Sequence, residues 1–175
     1  MLQDLPNKKR ACLPARQGFG LLEIVLAVSL VAGSLLALVA VFLLAQSTVE
    51  FSNQKLQVAF LLEEGLEVLR HLRDSGWNQN IALLSPNTDY YLSFDPALFQ
   101  WSVVGLAPAP ISGLFTRSFR IENVSRDGTA NIETIYNPAN DDPDTKKITM
   151  KVSWNFKGRE ELLTLEGYLT DLFDN

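Results

Sequence analysis

A long run of apolar and small residues dominates the first third of the chain. Residues 24–45 contain no charged side chain. As a helix, they would span about 33 Å at about 1.5 Å per residue, enough to cross the hydrocarbon core of a bilayer. The run is longer than the apolar core of a cleaved secretory signal and has no clear A-x-A cleavage site. The pattern therefore predicts a transmembrane helix.

Helical spacing continues beyond this run. Between residues 49 and 72, apolar side chains form two adjacent stripes, and charged side chains occupy the opposite side. The stripes are Val58, Leu61, Val68 and Leu72, and beside them Ala59, Leu62, Leu66 and Leu69. Ser75 and Gly76 are a typical helix stop. We therefore expect one helix over residues 19–74, with an amphipathic second half that packs against a head.

The pattern changes to short β-like segments after Trp77. In residues 147–156, apolar and polar side chains alternate with the period of a strand. Turn signals at Arg126-Asp127-Gly128 and Lys157-Gly158-Arg159 favour antiparallel pairing. The predicted strands are residues 90–94, 99–104, 115–124, 129–136, 147–156 and 162–169. The sequence thus predicts an α+β fold, in which a long N-terminal helix packs on a small antiparallel β-sheet.

Charge is distributed unevenly along the chain. Four basic residues against one acidic residue give residues 1–18 a net charge of +3, so the remainder would change from −5 to −8 without them. Basic residues precede the apolar run, which predicts a cytoplasmic N-terminus and an extracytoplasmic head. An acidic head with scattered basic side chains argues against direct nucleic-acid binding.

Glu23 needs an explanation that a simple membrane anchor does not provide. A carboxylate beside an apolar run costs roughly 2–3 kcal/mol or more in lipid and indicates a function. Glu23 lies one helical turn after Phe19, which follows Gly18. A cut between Gly18 and Phe19 would create an α-amino group about one turn from Glu23, and an acid near a helix N-terminus is favourable.

Residues 16–24 (Arg-Gln-Gly-Phe-Gly-Leu-Leu-Glu-Ile), followed by the apolar run, resemble the processing motif of type IV prepilins and type II secretion pseudopilins. The resemblance implies that a prepilin peptidase cuts between Gly18 and Phe19 and methylates the new N-terminus at Phe19. It also implies that Glu23 registers each subunit by neutralising the N-terminal amine of a neighbour. The fold it implies is type IV pilin-like.

Two further features refine this resemblance. The apolar run has no proline, whereas major pilins usually have one, which favours a minor pilin or a pseudopilin. Residues 146–159, 162–165 and 167–170 resemble the terminal hairpin of the minor pilin group called PilV-like and the pseudopilin group called GspI-like. The expected organisation is a removed leader (1–18), a transmembrane and filament-core helix (19–45), an amphipathic helix (46–76) and a β-rich head (77–175).

The resemblance also implies partners and a location. The partners are the prepilin peptidase, other pilin or pseudopilin subunits, an inner-membrane assembly platform, and membrane lipid before assembly. The location is the bacterial inner membrane, crossed once, and then an extracytoplasmic filament. The competing hypothesis is a membrane-anchored extracytoplasmic binding or sensor domain. An uncut Met1 or a cut near Ala45 would contradict the filament hypothesis.

Candidate chemistry in the remaining residues is sparse. Cys12 lies in the basic leader and His71 is the single histidine, so the sequence offers neither a disulfide nor a Cys/His metal site. No catalytic motif or phosphate-binding loop is present, and we predict a protein that is not an enzyme and needs no cofactor. Asp141, Asp142 and Asp144 are weak calcium candidates, but their order is more typical of an exposed turn.

Overall fold

The computed structural model describes residues 20–173 and has an α+β fold. One long N-terminal apolar helix and a five-stranded antiparallel sheet confirm the predicted layout. Its elements are α1 (Leu21–Ser75), α2 (Trp77–Asn80), β1 (Asp89–Asp95), β2 (Gln100–Val104), β3 (Thr116–Ser125), a 3-10 helix (Pro138–Asn140), β4 (Asp141–Phe156) and β5 (Arg159–Thr170). The chain divides into two compact units, one ending at Thr48 and one beginning at Val49.

The helix α1 ends where the sequence predicts. Gly76 has a φ of 152°, a conformation that side-chain-bearing residues rarely adopt, and it breaks the helix directly after Ser75. The side chains of Ser75 and Asn80 both donate hydrogen bonds to the Leu72 carbonyl, at 2.9 Å each. The carbonyls that a helix leaves open at its C-terminus are thereby partly satisfied.

The five strands lie in the order β2-β1-β3-β4-β5, and every neighbouring pair is antiparallel. The β4–β5 hairpin turns at Lys157 and Gly158, whose φ angles of 52° and 83° are both positive, as a tight hairpin turn requires. Only Asp89 and Tyr90 of β1 pair with β3, and the rest of β1 pairs with β2. The β1–β2 hairpin is therefore joined to the main sheet at one end.

The hydrophobic core lies between one face of α1 and one face of the sheet. Its members alternate along the strands, so the opposite face of the sheet carries polar side chains. Trp154, which the alternation places on the buried face, is 3% exposed, confirming that prediction. The most completely buried side chains include Val58 and Leu69 of α1, Phe119 and Ile121 of β3, and Ile148, Met150 and Val152 of β4.

The predicted strand over residues 129–136 is wrong. Within it only Ile132 forms an isolated bridge, to Arg126. The Asp127 side chain accepts hydrogen bonds from the backbone N–H groups of Thr129 and Asn131, at 2.8 and 3.0 Å. The Arg126 guanidinium also holds the Ala130 carbonyl, at 2.9 Å. These local bonds coil the segment into a turn, in competition with strand pairing.

Strand β4 begins six residues earlier than the alternation indicates. Ser125 pairs with Asp141 and Val124 pairs with Asp142, and the register then shifts before Asn123 pairs with Lys146. Pro143 falls within this irregularity, where a missing backbone donor is tolerated. Residues 141–144, expected in an exposed turn, therefore belong to a strand.

Helix α1 packs tightly against the sheet at Gly65. A Cβ atom at this position would lie 2.8 Å from Met150 Cε and 3.2 Å from Arg117 Cδ. The buried Arg117 reaches from β3 to the helix and donates to the Leu61 carbonyl at 3.0 Å and to Glu64 Oε2 at 2.8 Å. A small residue and a long cation together fix the spacing of the two layers.

Candidate functional site

The first candidate site is the apolar part of α1, residues 21–46. Every residue in this stretch is exposed in the structure. Among the described residues, α1 is the one helix long and apolar enough to cross a membrane by length and composition, with a mean hydropathy of 2.8 in its most apolar window. A large exposed apolar surface marks a site that contacts lipid or protein.

The hydroxyl groups within this segment and just after it are bonded inside the helix. The hydroxyls of Ser29 and Ser34 donate to the carbonyls of Leu26 and Val31, at 2.8 Å each. Thr48 donates to the Leu44 carbonyl at 3.0 Å. Because these groups are satisfied within the helix, they add little cost when the surface enters an environment without water.

Glu23 lies in the first turn of α1, as the acidic residue of that turn. Its backbone N–H donates to the Gly20 carbonyl at 2.9 Å, so the helical hydrogen-bond pattern already includes Gly20. Within residues 20–173 no side chain pairs with its carboxylate, which has the positive end of the helix dipole beside it. Gly18 and Phe19, the predicted cleavage and methylation positions, lie outside the described residues.

One face of the apolar helix has a shallow depression lined by Ala27, Val28, Val31, Ala32 and Leu35. Close to it, a Cβ atom added at Gly33 would meet nothing within 4 Å. Small residues allow another helix to approach closely where burial from water is not the driving force. This face can therefore receive an apolar partner helix.

The structure places the three calcium candidates in the first residues of β4, each with a local hydrogen bond. Asp141 accepts from the Tyr136 hydroxyl at 2.8 Å, and Asp142 pairs with the Arg126 guanidinium at 2.5 Å. The Asp144 backbone N–H donates to Asp142 Oδ1 at 3.1 Å. Within residues 20–173, no group of three or more His, Cys, Asp or Glu side chains is arranged to hold a metal ion.

The Arg126–Asp142 pair fastens the β3–β4 connection. Burial of Asp142 would raise its pKa, but hydrogen bonds from Arg126 and Thr145 outweigh burial and hold the pKa below its ordinary value. Arg126 also donates to the Thr145 hydroxyl at 3.1 Å. The sequence shows Arg126 as part of a turn signal, and nothing local indicates its partner sixteen residues later.

A second candidate site, not predicted from the sequence, is a cleft of about 540 Å³ on the polar face of the head. Its floor is a row of cross-strand neighbours, in which Glu122 of β3 pairs with Lys147 of β4 and Lys147 pairs with Tyr168 of β5. The β3–β4 connection forms one wall, and Pro86 and Asn87 form another. The wall residues of the connection are Ile132, Glu133, Thr134 and Tyr136.

Hydrogen bonds hold the walls of this cleft in place. Asn87 N–H donates to the Ile121 carbonyl at 2.8 Å, and Glu133 N–H donates to the Ser125 carbonyl at 2.8 Å. The buried Ser125 hydroxyl accepts from Asn137 N–H at 2.9 Å. The walls are therefore fixed to β3, and the cleft is largely pre-formed.

Charges in the cleft are unequally compensated. The Lys147 ammonium lies 3.1 Å from Glu166 Oε2 and 3.8 Å from Glu122 Oε2. The hydrogen bond with Glu166 raises the pKa of Lys147 above its ordinary value. Glu133 Oε1 accepts from Asn140 at 3.1 Å, whereas Glu133 Oε2 is buried without a hydrogen-bond partner within residues 20–173. Among the described residues, the charge of the cleft that no cation compensates is therefore the negative charge of Glu133.

The chain thus presents an exposed apolar helix with a lone acid at its start, and a pre-formed acidic cleft on its head. Comparison with protein-family models, curated proteins and solved structures finds no match to this chain.

Proposed function

We propose that this chain is a minor pilin or pseudopilin, a structural subunit of a type IV pilus or type II secretion-like filament. One observation carries the proposal: Gly18-Phe19 and Glu23 stand in the prepilin order directly before a fully exposed apolar helix. A membrane anchor alone explains the apolar helix. It does not explain a carboxylate at the fifth position after a Gly-Phe junction.

Assembly in this proposal transfers the apolar helix from lipid to a bundle of identical or related helices. Both environments are dry, so the helix keeps its internal hydrogen bonds and the gain comes from close side-chain packing. The depression at Ala27, Val31 and Leu35 supports such packing. Glu23 would set the register of each subunit by pairing with the α-amino group of a neighbour's Phe19, because a buried carboxylate is tolerable when paired and costly when alone.

The continuity of α1 supports a minor rather than a bulk subunit. Its 55 residues are helical without interruption, and its apolar part contains no proline. In the proposal the prepilin peptidase, other pilin or pseudopilin subunits and an inner-membrane platform are the partners. The chain would insert once into the inner membrane and then enter an extracytoplasmic filament. The proposed role requires neither enzymatic activity nor a cofactor.

The deciding experiment is the mass and N-terminal sequence of the chain purified from cells with and without a prepilin peptidase. We expect a mature chain beginning at N-methylated Phe19 when the peptidase is present, and the full-length chain when it is absent. Gly18→Leu should block cleavage, because the peptidase cuts after a residue without a side chain. Gly20→Ala, two residues away on the other side of the junction, is the matched control and should be processed.

An uncut Met1, or a cut near Ala45, would contradict the filament proposal. The uncut chain would support instead the competing function of a membrane-anchored extracytoplasmic binding or sensor domain, whereas a cut near Ala45 would remove the anchor itself.

A further inference from the structure

The acidic cleft on the head has the properties of a specific recognition site. Its volume of about 540 Å³ lies within the range of about 300–1,000 Å³ that ligand pockets occupy. Its residues come from five separate parts of the chain, and backbone hydrogen bonds to β3 hold its walls. The cleft therefore persists without a ligand.

The charge of the cleft determines the sign of the charge that its ligand carries. Glu122, Glu133 and Lys147 are the charged residues of its lining. Lys147 lies between two carboxylates, so its positive charge is already compensated. Glu133 lines the cleft, and one of its carboxylate oxygens is buried without a hydrogen-bond partner among the described residues. The lining has two acidic side chains against one basic side chain, so it favours a cation over an anion.

The apolar groups of the cleft select the shape of the ligand. Tyr136 and Tyr168 are 41% and 52% exposed, and Ile132 is 36% exposed. Aromatic and aliphatic surfaces of this kind contact the methylene stem of a long side chain, and aromatic rings also attract a cation placed over their faces. The Tyr136 hydroxyl is already bound to Asp141, which fixes its ring. The arrangement suits a charged group at the end of an apolar stem.

We propose that this cleft binds a lysine or arginine side chain presented by a partner protein, with the cation beside Glu133 and the stem against Tyr136 and Tyr168. The volume exceeds that of one side chain, so the residues flanking the basic residue also enter the cleft. The inference concerns the head alone and does not depend on processing at Gly18.

The test uses the full-length chain in mild detergent with its four tyrosines carrying ¹³C-labelled rings. The probe is lysine blocked at both ends, Nα-acetyl-lysine methylamide, and the norleucine analogue is the uncharged control. We expect saturable shifts of the Tyr136 and Tyr168 signals, assigned with Tyr136→Phe and Tyr168→Phe. Tyr90 and Tyr91, which do not line the cleft, should stay unchanged and so report an intact fold.

Glu133→Gln keeps the shape of the side chain and removes its charge. It should weaken binding of the blocked lysine about two- to fivefold, the range of a partly solvated ion pair. Glu160→Gln is the matched control, because it makes the same change at an exposed position of β5 outside the cleft, and its affinity should equal that of the unaltered chain.

Three results would overturn the inference. One is the absence of saturable shifts at Tyr136 and Tyr168. Another is equal binding of the blocked lysine and its norleucine analogue. The last is an affinity that Glu133→Gln leaves unchanged while the Tyr90 and Tyr91 signals show a folded head.

Discussion

Gly65 offers a direct test of how closely the amphipathic half of α1 packs on the sheet. Replacing it by alanine adds one methyl group, whose carbon would lie 2.8 Å from Met150 Cε, 3.0 Å from Met150 Sδ and 3.2 Å from Arg117 Cδ. Met150 is fully buried and Arg117 is 5% exposed, so neither side chain can move into solvent. Something in the core must therefore shift.

Two opposing effects determine the size of the change. Alanine in place of glycine stabilises a helix interior by about 1 kcal/mol. Overpacking a dense core by one methyl group costs about 1–3 kcal/mol. We therefore expect Gly65→Ala to lower the free energy of unfolding by about 0–2 kcal/mol, because the loss from overpacking offsets or exceeds the helical gain.

A double-mutant cycle separates the two effects. Met150→Val removes the two atoms that lie closest to the new methyl group. In that background Gly65→Ala should stabilise the protein by about 1 kcal/mol, which gives a coupling free energy of about 1–3 kcal/mol between the two positions. Gly33→Ala is the matched control, since nothing lies within 4 Å of its added carbon, and it should leave unfolding of the head unchanged.

Urea unfolding of the full-length chain in detergent, followed by tryptophan fluorescence, measures these free energies. Trp77 and Trp154 are both buried in the head, so the signal reports its unfolding. The close packing would be refuted if Gly65→Ala stabilised the unaltered chain as much as it stabilised the Met150→Val variant. Such a result would mean that the helix lies farther from β4 than the structure has it.

Two further predictions concern single carboxylates. Glu23→Val should leave cleavage at Phe19 intact but reduce incorporation into sheared filaments, measured by immunoblotting, and normal incorporation would contradict a registering role. Asp142→Asn should make the stability of the head less dependent on pH in the acid range. Because the pKa of Asp142 is lowered in the folded protein, its contribution is present above about pH 4 and is lost as the pH falls toward that lowered pKa. The measurement is the urea midpoint of both proteins between about pH 6 and pH 3, a range that includes the ordinary Asp pKa of about 3.9. Midpoints that change with pH in the same way in both proteins would refute this role of Asp142.

The parts of the fold that the sequence predicts are those encoded by neighbouring residues. Residues 147–156 alternate cleanly and end at Lys157-Gly158, so the β4–β5 hairpin follows from local information. The early start of β4 depends on pairing with Ser125, and Asp141-Asp142-Pro143-Asp144 by itself reads as a turn. Residues 129–136 have apolar side chains at strand spacing, but the hydrogen bonds of Asp127 hold this segment in a turn instead.

The two candidate sites also differ in how far the sequence predicts them. The order of Gly18, Phe19 and Glu23 is a continuous motif, so the sequence is sufficient to propose it. The cleft joins Asn87, Glu122, Glu133 and Tyr168, which are far apart along the chain. No periodicity connects them: the pairing of β3, β4 and β5 places Glu122 and Tyr168 on one face, and hydrogen bonds to β3 hold Asn87 and Glu133 beside it. A binding site of this kind can be recognised only in the folded structure.

If the chain enters a filament as we propose, the position of Glu23 predicts that this carboxylate needs a partner during assembly and not before. Residues 24–48 are uncharged and, as helix, extend roughly 37 Å at about 1.5 Å per residue, more than the roughly 30 Å of a bilayer core. In the proposed membrane orientation, Glu23 would therefore remain at the cytoplasmic interface, where water solvates it. If the helix is drawn outward into the proposed filament, this carboxylate would move into the apolar layer, where an unpaired charge costs several kcal/mol. In the proposed filament, an amine supplied by a neighbouring subunit would remove that cost only in the correct register, so Glu23 would be harmless in the resting subunit and selective during assembly.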